Sequence, residues 1–198
     1  DKGNQLVIHY FDRKGSLCMT SNNYAGISRE YDERGNKLSE KYYDIRNRIA
    51  AGTYIAKYMY DSQDHVIEVA AYNEKGEPVN NEDGYHRAVY EYDKLGNNTA
   101  DLYYNTSGSL TRAKNERYAV IRYKYDEKGN LSEVAYYGIK NERVSRQSDN
   151  VSIQRSEFDS MGRVVRQTYY DINEQPTKPS VMVPEGMAAY DKWGNMNY

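Results

Sequence analysis

The sequence predicts an all-β fold: about six tandem β-hairpin repeats of ~32 residues forming a continuous, twisted antiparallel repeat sheet or solenoid. Three observations predict it. A D-x-x-G turn recurs at near-constant spacing, an aromatic pair follows it eight residues later, and no stretch sustains the helical spacing of apolar residues.

The turn comes first because it sets the period. Its marker glycines are Gly3, Gly35, Gly96, Gly129, Gly162 and Gly194, with Asp64 in the same slot of "YDSQDHV". Successive spacings are 32, 29, 32, 33, 33 and 32 residues. The turn opens with a Tyr-Asp pair, at Tyr31-Asp32, Tyr60-Asp61, Tyr92-Asp93, Tyr125-Asp126 and Tyr190-Asp191, and as Phe158-Asp159. Asp at the first position can bond the backbone two residues on. Gly or Asn near the end tolerates the positive φ that hairpin closure demands.

The strands follow. One runs from Gly-Asn to the aromatic pair, as in Asn36 to Tyr43, and the pair recurs as Tyr42-Tyr43, Tyr103-Tyr104, Tyr136-Tyr137 and Tyr169-Tyr170. A second D/N-x-x-G-like turn comes next, clearest at Asp12–Gly15, Asn73–Gly76 and Asn105–Gly108. After a variable polar connector, a second strand leads into the next Tyr-Asp, as in Tyr85 to Tyr92. These segments are rich in β-branched and aromatic residues and roughly alternate in polarity. A bend or short helix within a connector, notably in "LTRAKNERYA", remains compatible with the pattern. Alternation puts Leu38 and Tyr42 on one side of the first full strand and Lys37, Ser39, Lys41 and Tyr43 on the other. One face is expected to be the better buried, with a tyrosine row on each.

The repeat units run approximately 1–29, 30–58, 59–90, 91–123, 124–155 and 156–189, with a partial unit at 190–198, as one repeat domain. The last cycle departs from the pattern. Pro176, Pro179 and Pro184 belong at an edge or in a connector because they cannot donate to a ladder, and Trp193 fits a capping contact. The chain begins at Asp1, partway through a cycle, and reads as a piece of a longer protein.

Composition explains how such repeats hold together. Leu, Ile, Val and Phe number only 32 of 198 residues, a fraction that goes with disorder when net charge is high. Here the net charge is −2 and there are 23 tyrosines, so the apolar surface comes from phenol rings. Mixed charge argues against a nucleic-acid partner. The chain lacks a run of 18 apolar residues, so no membrane insertion is expected. The single cysteine, Cys18, excludes an intramolecular disulfide framework.

The Y-D-x-x-G-[NR] signature, carried by Tyr31–Asn36, Tyr92–Asn97, Tyr125–Asn130 and, with Phe in the first position, Phe158–Arg163, resembles the bacterial YD-repeat, or Rhs-like, tyrosine-rich β-repeat proteins. Rhs-type units are shorter, and the extra residues here lie between the second turn and the next strand. The resemblance implies a bacterial exported or surface-linked protein, extracellular or at the cell surface.

The chain offers few candidates for chemistry. His9, His65 and His86 occupy unrelated repeat positions and are expected on strand surfaces or in solvent. One Asp per turn falls short of a calcium loop, so no metal site and no cofactor are expected. Nucleophile-elbow, zincin and phosphate-loop motifs are missing, and nothing singles out a pair of carboxylates, so the expectation is not an enzyme. The candidate binding residues are the second tyrosines of each pair, Tyr43, Tyr72, Tyr104, Tyr137 and Tyr170, which alternation places on the more polar face. Rigid amphipathic rings suit protein or glycan recognition. The expected role is a non-catalytic interaction or scaffold module whose partner is a protein or a surface glycan; the alternative is a carbohydrate-binding module using the tyrosine rows.

Overall fold

The computed structural model describes residues 6–50 and 52–177, together with the short stretches 189–190 and 196–197. The expectations for Gly3, Pro179, Pro184, Trp193 and Gly194 lie outside the described residues. The described chain is all strand, turn and bend. Its strands are β1 (Val7–His9), β2 (Gly26–Tyr31), β3 (Lys37–Tyr43), β4 (Ile55–Tyr60), β5 (Val66–Tyr72), β6 (Arg87–Tyr92), β7 (Asn98–Tyr104), β8 (Val120–Tyr125), β9 (Leu131–Tyr137), β10 (Ile153–Phe158), β11 (Val164–Tyr170) and β12 (Pro176–Thr177). They follow chain order in one antiparallel sheet that does not close on itself. A separate pair joins β13 (Ala189–Tyr190) to β14 (Met196–Asn197). Pro176 sits in the two-residue edge strand β12, where its missing donor costs nothing.

Among the described residues each Tyr-Asp or Phe-Asp turn has the same construction. At Asp32 the side-chain Oδ1 accepts the amides of Arg34 and Asn36, at 2.9 and 2.8 Å. Gly35 N donates to Asp32 O, and Asp32 N donates to Asn36 O. Asp61, Asp93, Asp126 and Asp159 repeat that pair of side-chain bonds. The fourth turn residue has positive φ throughout: 94° at Gly35, 85° at Gly96, 84° at Gly129, 76° at Gly162 and 67° at Asp64. A tight turn followed by a left-handed residue is the three-residue hairpin loop with its bulge. The register shifts between Glu30 and Tyr31, Met59 and Tyr60, Lys124 and Tyr125, and Glu157 and Phe158.

The bulge corrects one expectation. Tyr31 pairs with Lys37 while Glu30 pairs with Ser39, so Leu38 is skipped and simple alternation fails at the strand's start. Lys37 therefore joins the Tyr42 side, with its Nζ 3.4 Å from Glu40 and 4.4 Å from the Tyr58 ring centre.

The connectors also have regular structure. After the second turn the chain pairs briefly back on the strand it has left, through bridges Leu17–Phe11, Ile49–Tyr43, Pro78–Tyr72 and Arg143–Tyr137. A third turn then returns it, closed by Thr20 N to Tyr24 O, Asn81 N to Tyr85 O and Ala113 N to Tyr118 O. The stretch "LTRAKNERYA" is one such turn, with no helix.

By Cα proximity the chain divides into two compact units, residues 1–89 with 104–109, and residues 90–103 with 110–198. In each, alanines recur through the core. Ala25, Ile27, Ala50, Ala56, Ala70, Ala71 and Ala88 are buried in the first; Ala100, Ala119, Val120, Ala135, Tyr136, Val151 and Ile153 in the second. Adjacent strand residues such as Ala70 and Ala71 are both buried, so burial is shared by the two faces and not concentrated on one, correcting the sequence expectation. In a single layer, an alanine is shielded by the long tyrosine and arginine side chains of its strand neighbours.

Two predictions follow from the turns. Gly129 has open space where a Cβ would go, so Gly129→Ala tests backbone conformation alone. It should destabilise the protein by about 1–2 kcal/mol in urea unfolding, and Gly129→Asn by less, because Asn tolerates the left-handed region. Asn47 and Asn141 already hold φ values of 59° and 60° in equivalent second turns. For acid sensitivity, burial raises the Asp32 and Asp61 pKa values, but hydrogen bonds from the turn outweigh it and hold both carboxyls below their usual value. The side-chain bonds from Asn97 and Asn130 lower Asp93 and Asp126, and the backbone bond from Arg163 lowers Asp159. A depressed folded pKa contributes stability above the unfolded value that is lost as pH falls through the folded one. Thermal unfolding should therefore show Tm falling below about pH 4, and Asp→Asn at Asp93, Asp126 and Asp159 together should flatten that fall.

Candidate interaction surface

The five candidate tyrosines occupy one repeat position, the last residue of β3, β5, β7, β9 and β11. Each is half-buried. What the sequence did not show is what lies over their rings. Lys57 Nζ stands 4.7 Å from the Tyr72 ring centre, the Arg87 guanidinium 4.6 Å from Tyr104, and Arg155 4.7 Å from Tyr170. Tyr137 has two cations, Arg122 at 5.4 Å and Arg143 at 4.6 Å. The cause is register. Ala70 faces Lys57 and Tyr72 faces Ile55 across the β4–β5 ladder, so Lys57 is diagonal to Tyr72, within reach of a long side chain. The β8–β9 ladder places Arg122 the same way beside Tyr137. The residue at this place in β2 is Ser28, and among the described residues no cation is placed over the Tyr43 ring.

Carboxylates hold three of those cations in place, Arg87, Arg143 and Arg155. Arg87 bonds Glu68 at 3.0 Å. Arg155 bonds Glu133 at 2.7 Å and Glu174 at 3.2 Å, and Arg143 reaches Glu174 at 3.4 Å. Lys124 is 2.7 Å from the other oxygen of Glu133. Burial pushes the Glu133 pKa up, yet the bonds from Lys124 and Arg155 outweigh it and keep the carboxyl below its usual value. The Arg155 pKa is raised, first by its bond to Glu133.

The first tyrosines of each pair do a different job. Tyr24 lies between Tyr10 and Tyr42, with ring centres 5.7 and 4.9 Å away, and Tyr118 lies between Tyr103 and Tyr136 at 6.1 and 5.1 Å. Such tilted and edge-on contacts between rings are favourable. Tyr24 and Tyr118 come from the third turns, which the sequence marks only by the recurring "NYAG", "TYIA", "GYHRA" and "RYAV". On this side Glu40 accepts Arg29 at 2.5 Å and the Tyr42 hydroxyl at 2.8 Å. In the second unit Asp101 accepts the Tyr123 hydroxyl at 2.7 Å. Burial first, then that bond, raises the Tyr123 pKa.

The histidines are not alike. His9 is exposed, and half-buried His65 has its Nδ1 2.9 Å from Asp61. His86, expected on a surface, is instead buried at 8 % exposure, its Nδ1 2.8 Å from Ala71 O and its ring edge-on to Tyr72. It sits between the ends of β5 and β7, so backbone carbonyls take up its polar ring. Among the described residues no three His, Cys, Asp or Glu side chains group as a metal site, and no helix is long and apolar enough to cross a membrane.

Each unit has an open cleft between neighbouring connectors. That of the first unit, about 260 Å³, is lined by Asn22, Tyr24, Tyr42, Thr53, Tyr54 and Glu82, with Gly52 at its rim. That of the second, about 590 Å³, is lined by Arg112, Asn115, Glu116, Arg117, Val144 and Gln147. There Glu116 accepts the Gln147 amide, and Arg117 bonds Ser145 and Asn150. Sequence reading selected neither cleft, because their residues come from connectors whose composition varies.

No family model matches the chain, and no curated protein matches it. Solved structures do resemble it. A TcdB2-TccC3-TEV structure aligns over 85% of this chain at 16% identity, with a TM-score of 0.49. A TcdB2-TccC3-Cdc42 structure aligns over 76% at 14% identity, TM-score 0.40. A Photorhabdus luminescens Tc holotoxin pore with a substituted TccC3 aligns over 84% at 14% identity, TM-score 0.42. The chain spans only 8% to 10% of those chains.

Removing the shared carboxylate tests the cation lattice. Glu133→Gln should cost about 1–3 kcal/mol at pH 7, because Lys124 and Arg155 lose their common anion. The Glu133 pKa is depressed in the folded state, so its contribution exists above the unfolded value and fades as pH falls through the folded one. Urea unfolding of variant and wild type should converge as pH falls below the usual carboxylate range.

Proposed function

We propose that this chain is a non-catalytic interaction or scaffold module of a bacterial exported or surface-associated protein, and that each of its two units docks a protein partner through its own tyrosines, Tyr72 and Tyr104 in the first and Tyr137 and Tyr170 in the second. The bacterial and exported parts of this reading rest on the resemblance of the Y-D-x-x-G-N motif to YD-repeat proteins.

The observation that carries the protein-docking reading is the placement of cations over those rings. A sugar ring stacks on a bare aromatic face, and at these tyrosines a lysine or arginine already occupies it. That weighs against the carbohydrate-binding alternative. What remains outward is a mixed surface of tyrosine edges, guanidinium groups and carboxylates on a strand framework. Tyrosine and arginine are the residues in which interface binding energy concentrates. Strands two apart repeat at about 9.5 Å, so Tyr137 on β9 and Tyr170 on β11 offer evenly spaced anchors. The non-catalytic reading is supported by where the acids go: Glu40, Glu68 and Glu133 are each engaged by a strand arginine, and the turn aspartates by their own backbone.

A photo-reactive amino acid placed at Tyr137 or at Tyr170, in cells that make the protein, tests the reading. Discrete cross-linked products from both sites are expected, with none from exposed turn position Lys94, and both should be lost when Arg143→Glu reverses the local charge. Equal cross-linking from all three positions would remove the docking face.

A further inference from the structure

The cleft of the first unit has a chemistry of its own, apart from the docking face. Three phenol rings, Tyr24, Tyr42 and Tyr54, line it together with the Glu82 carboxylate and the Asn22 amide. No lysine or arginine is among its lining residues. Two of its hydroxyls are already used inward: Tyr42 donates to Glu40 at 2.8 Å, and Thr53 donates to Ala50 O at 2.7 Å. What the cleft offers a ligand is therefore ring surface and one carboxylate, together with the Asn22 amide and the Tyr24 and Tyr54 hydroxyls. Tyr24 and Tyr42 are tilted by 54° at 4.9 Å, which makes two walls and not one flat platform. Burial, followed by the charges of Glu82 and, further down, Asp83, pushes the Tyr54 hydroxyl up to about 12, so that ring is a neutral phenol beside a negative field.

Tilted aromatic walls closed by a carboxylate recognise an organic cation: the ring quadrupoles attract the positive charge and the carboxylate complements it. The second unit's cleft, also between connectors, carries Arg112 and Arg117 where this one carries tyrosines, and does not have this character. We propose that the cleft formed by Tyr24, Tyr42, Tyr54 and Glu82 is a binding site for an alkylammonium or quaternary ammonium group. The site lies away from the cation-covered tyrosine row, and neither reading depends on the other.

The test is a titration of the whole chain followed by NMR of its tyrosine ring resonances, with choline, n-butylammonium and neopentyl carbinol, the uncharged isostere of choline. Saturable shifts of Tyr24, Tyr42 and Tyr54 are expected with choline or n-butylammonium, at an affinity at least about tenfold above the neutral isostere. Which of the two cations binds tighter tells a quaternary head group from a primary amine. Glu82→Gln, an exposed substitution that leaves the fold intact, should weaken the cations several-fold and leave the isostere unchanged, and Tyr54→Phe should retain binding while Tyr54→Leu loses it. Cation and isostere binding equally, or shifts with glucose that match those with choline, would overturn the proposal.

Discussion

The structure depends on a small electrostatic device, a carboxylate or amide oxygen that accepts two backbone amides of its own turn. Asp32, Asp61, Asp93, Asp126 and Asp159 do this after every second strand, and Asp12, Asp44, Asn73, Asn105 and Asp171 do it in the intervening connectors. A strand slipped by one residue would send every side chain to the opposite face. By closing each hairpin on one residue count, the turn prevents that slip, and the left-handed fourth residue supplies the bulge that makes it close. Every lateral interaction described above presupposes this register.

The second constraint is that a single layer must shelter itself. Among the described residues the largest wholly buried side chains are Ile153, Val151 and Ser152. The solution alternates small and long: alanines lie low, and tyrosines, arginines and lysines from the adjacent strands lean over them. Carboxylates such as Glu40 and Glu133 can be buried in such a layer only because an arginine reaches each of them across the ladder. Neighbouring turns are tied in the same way, by Arg34 to Asp64 in the first unit and by Arg143 to Glu174 in the second. The same side chains that shelter the core thus make the surface on which docking is proposed, so structure and recognition draw on one set of residues.

Much of this was legible in the chain. The D-x-x-G period and the aromatic pairs located the strands, because turn chemistry is local and needs only a few consecutive residues. The all-β class followed from the same signals and from the missing helical periodicity. Residues whose environment is set at a distance were read less well. Lys37 was put on the wrong side because the bulge breaks alternation only once the partner strand is present. His86 was expected at a surface, and its burial comes from its place between the ends of β5 and β7, bonded to Ala71 on one side and Tyr104 on the other. The candidate tyrosines were placed correctly at the strand ends, but the cations over them arrive from neighbouring strands, whose diagonal offset no single strand reveals.

By itself, then, the order of residues determined the hairpin repeat, its turns and its dependence on phenol rings, since each follows from contacts within about ten residues. Only the tertiary structure decided which ring faces are covered, which acids are paired and where connectors leave an open cleft. These depend on lateral register between segments some twenty to thirty residues apart, where Arg155 meets Glu133 and Tyr54 comes to share a cleft with Tyr24.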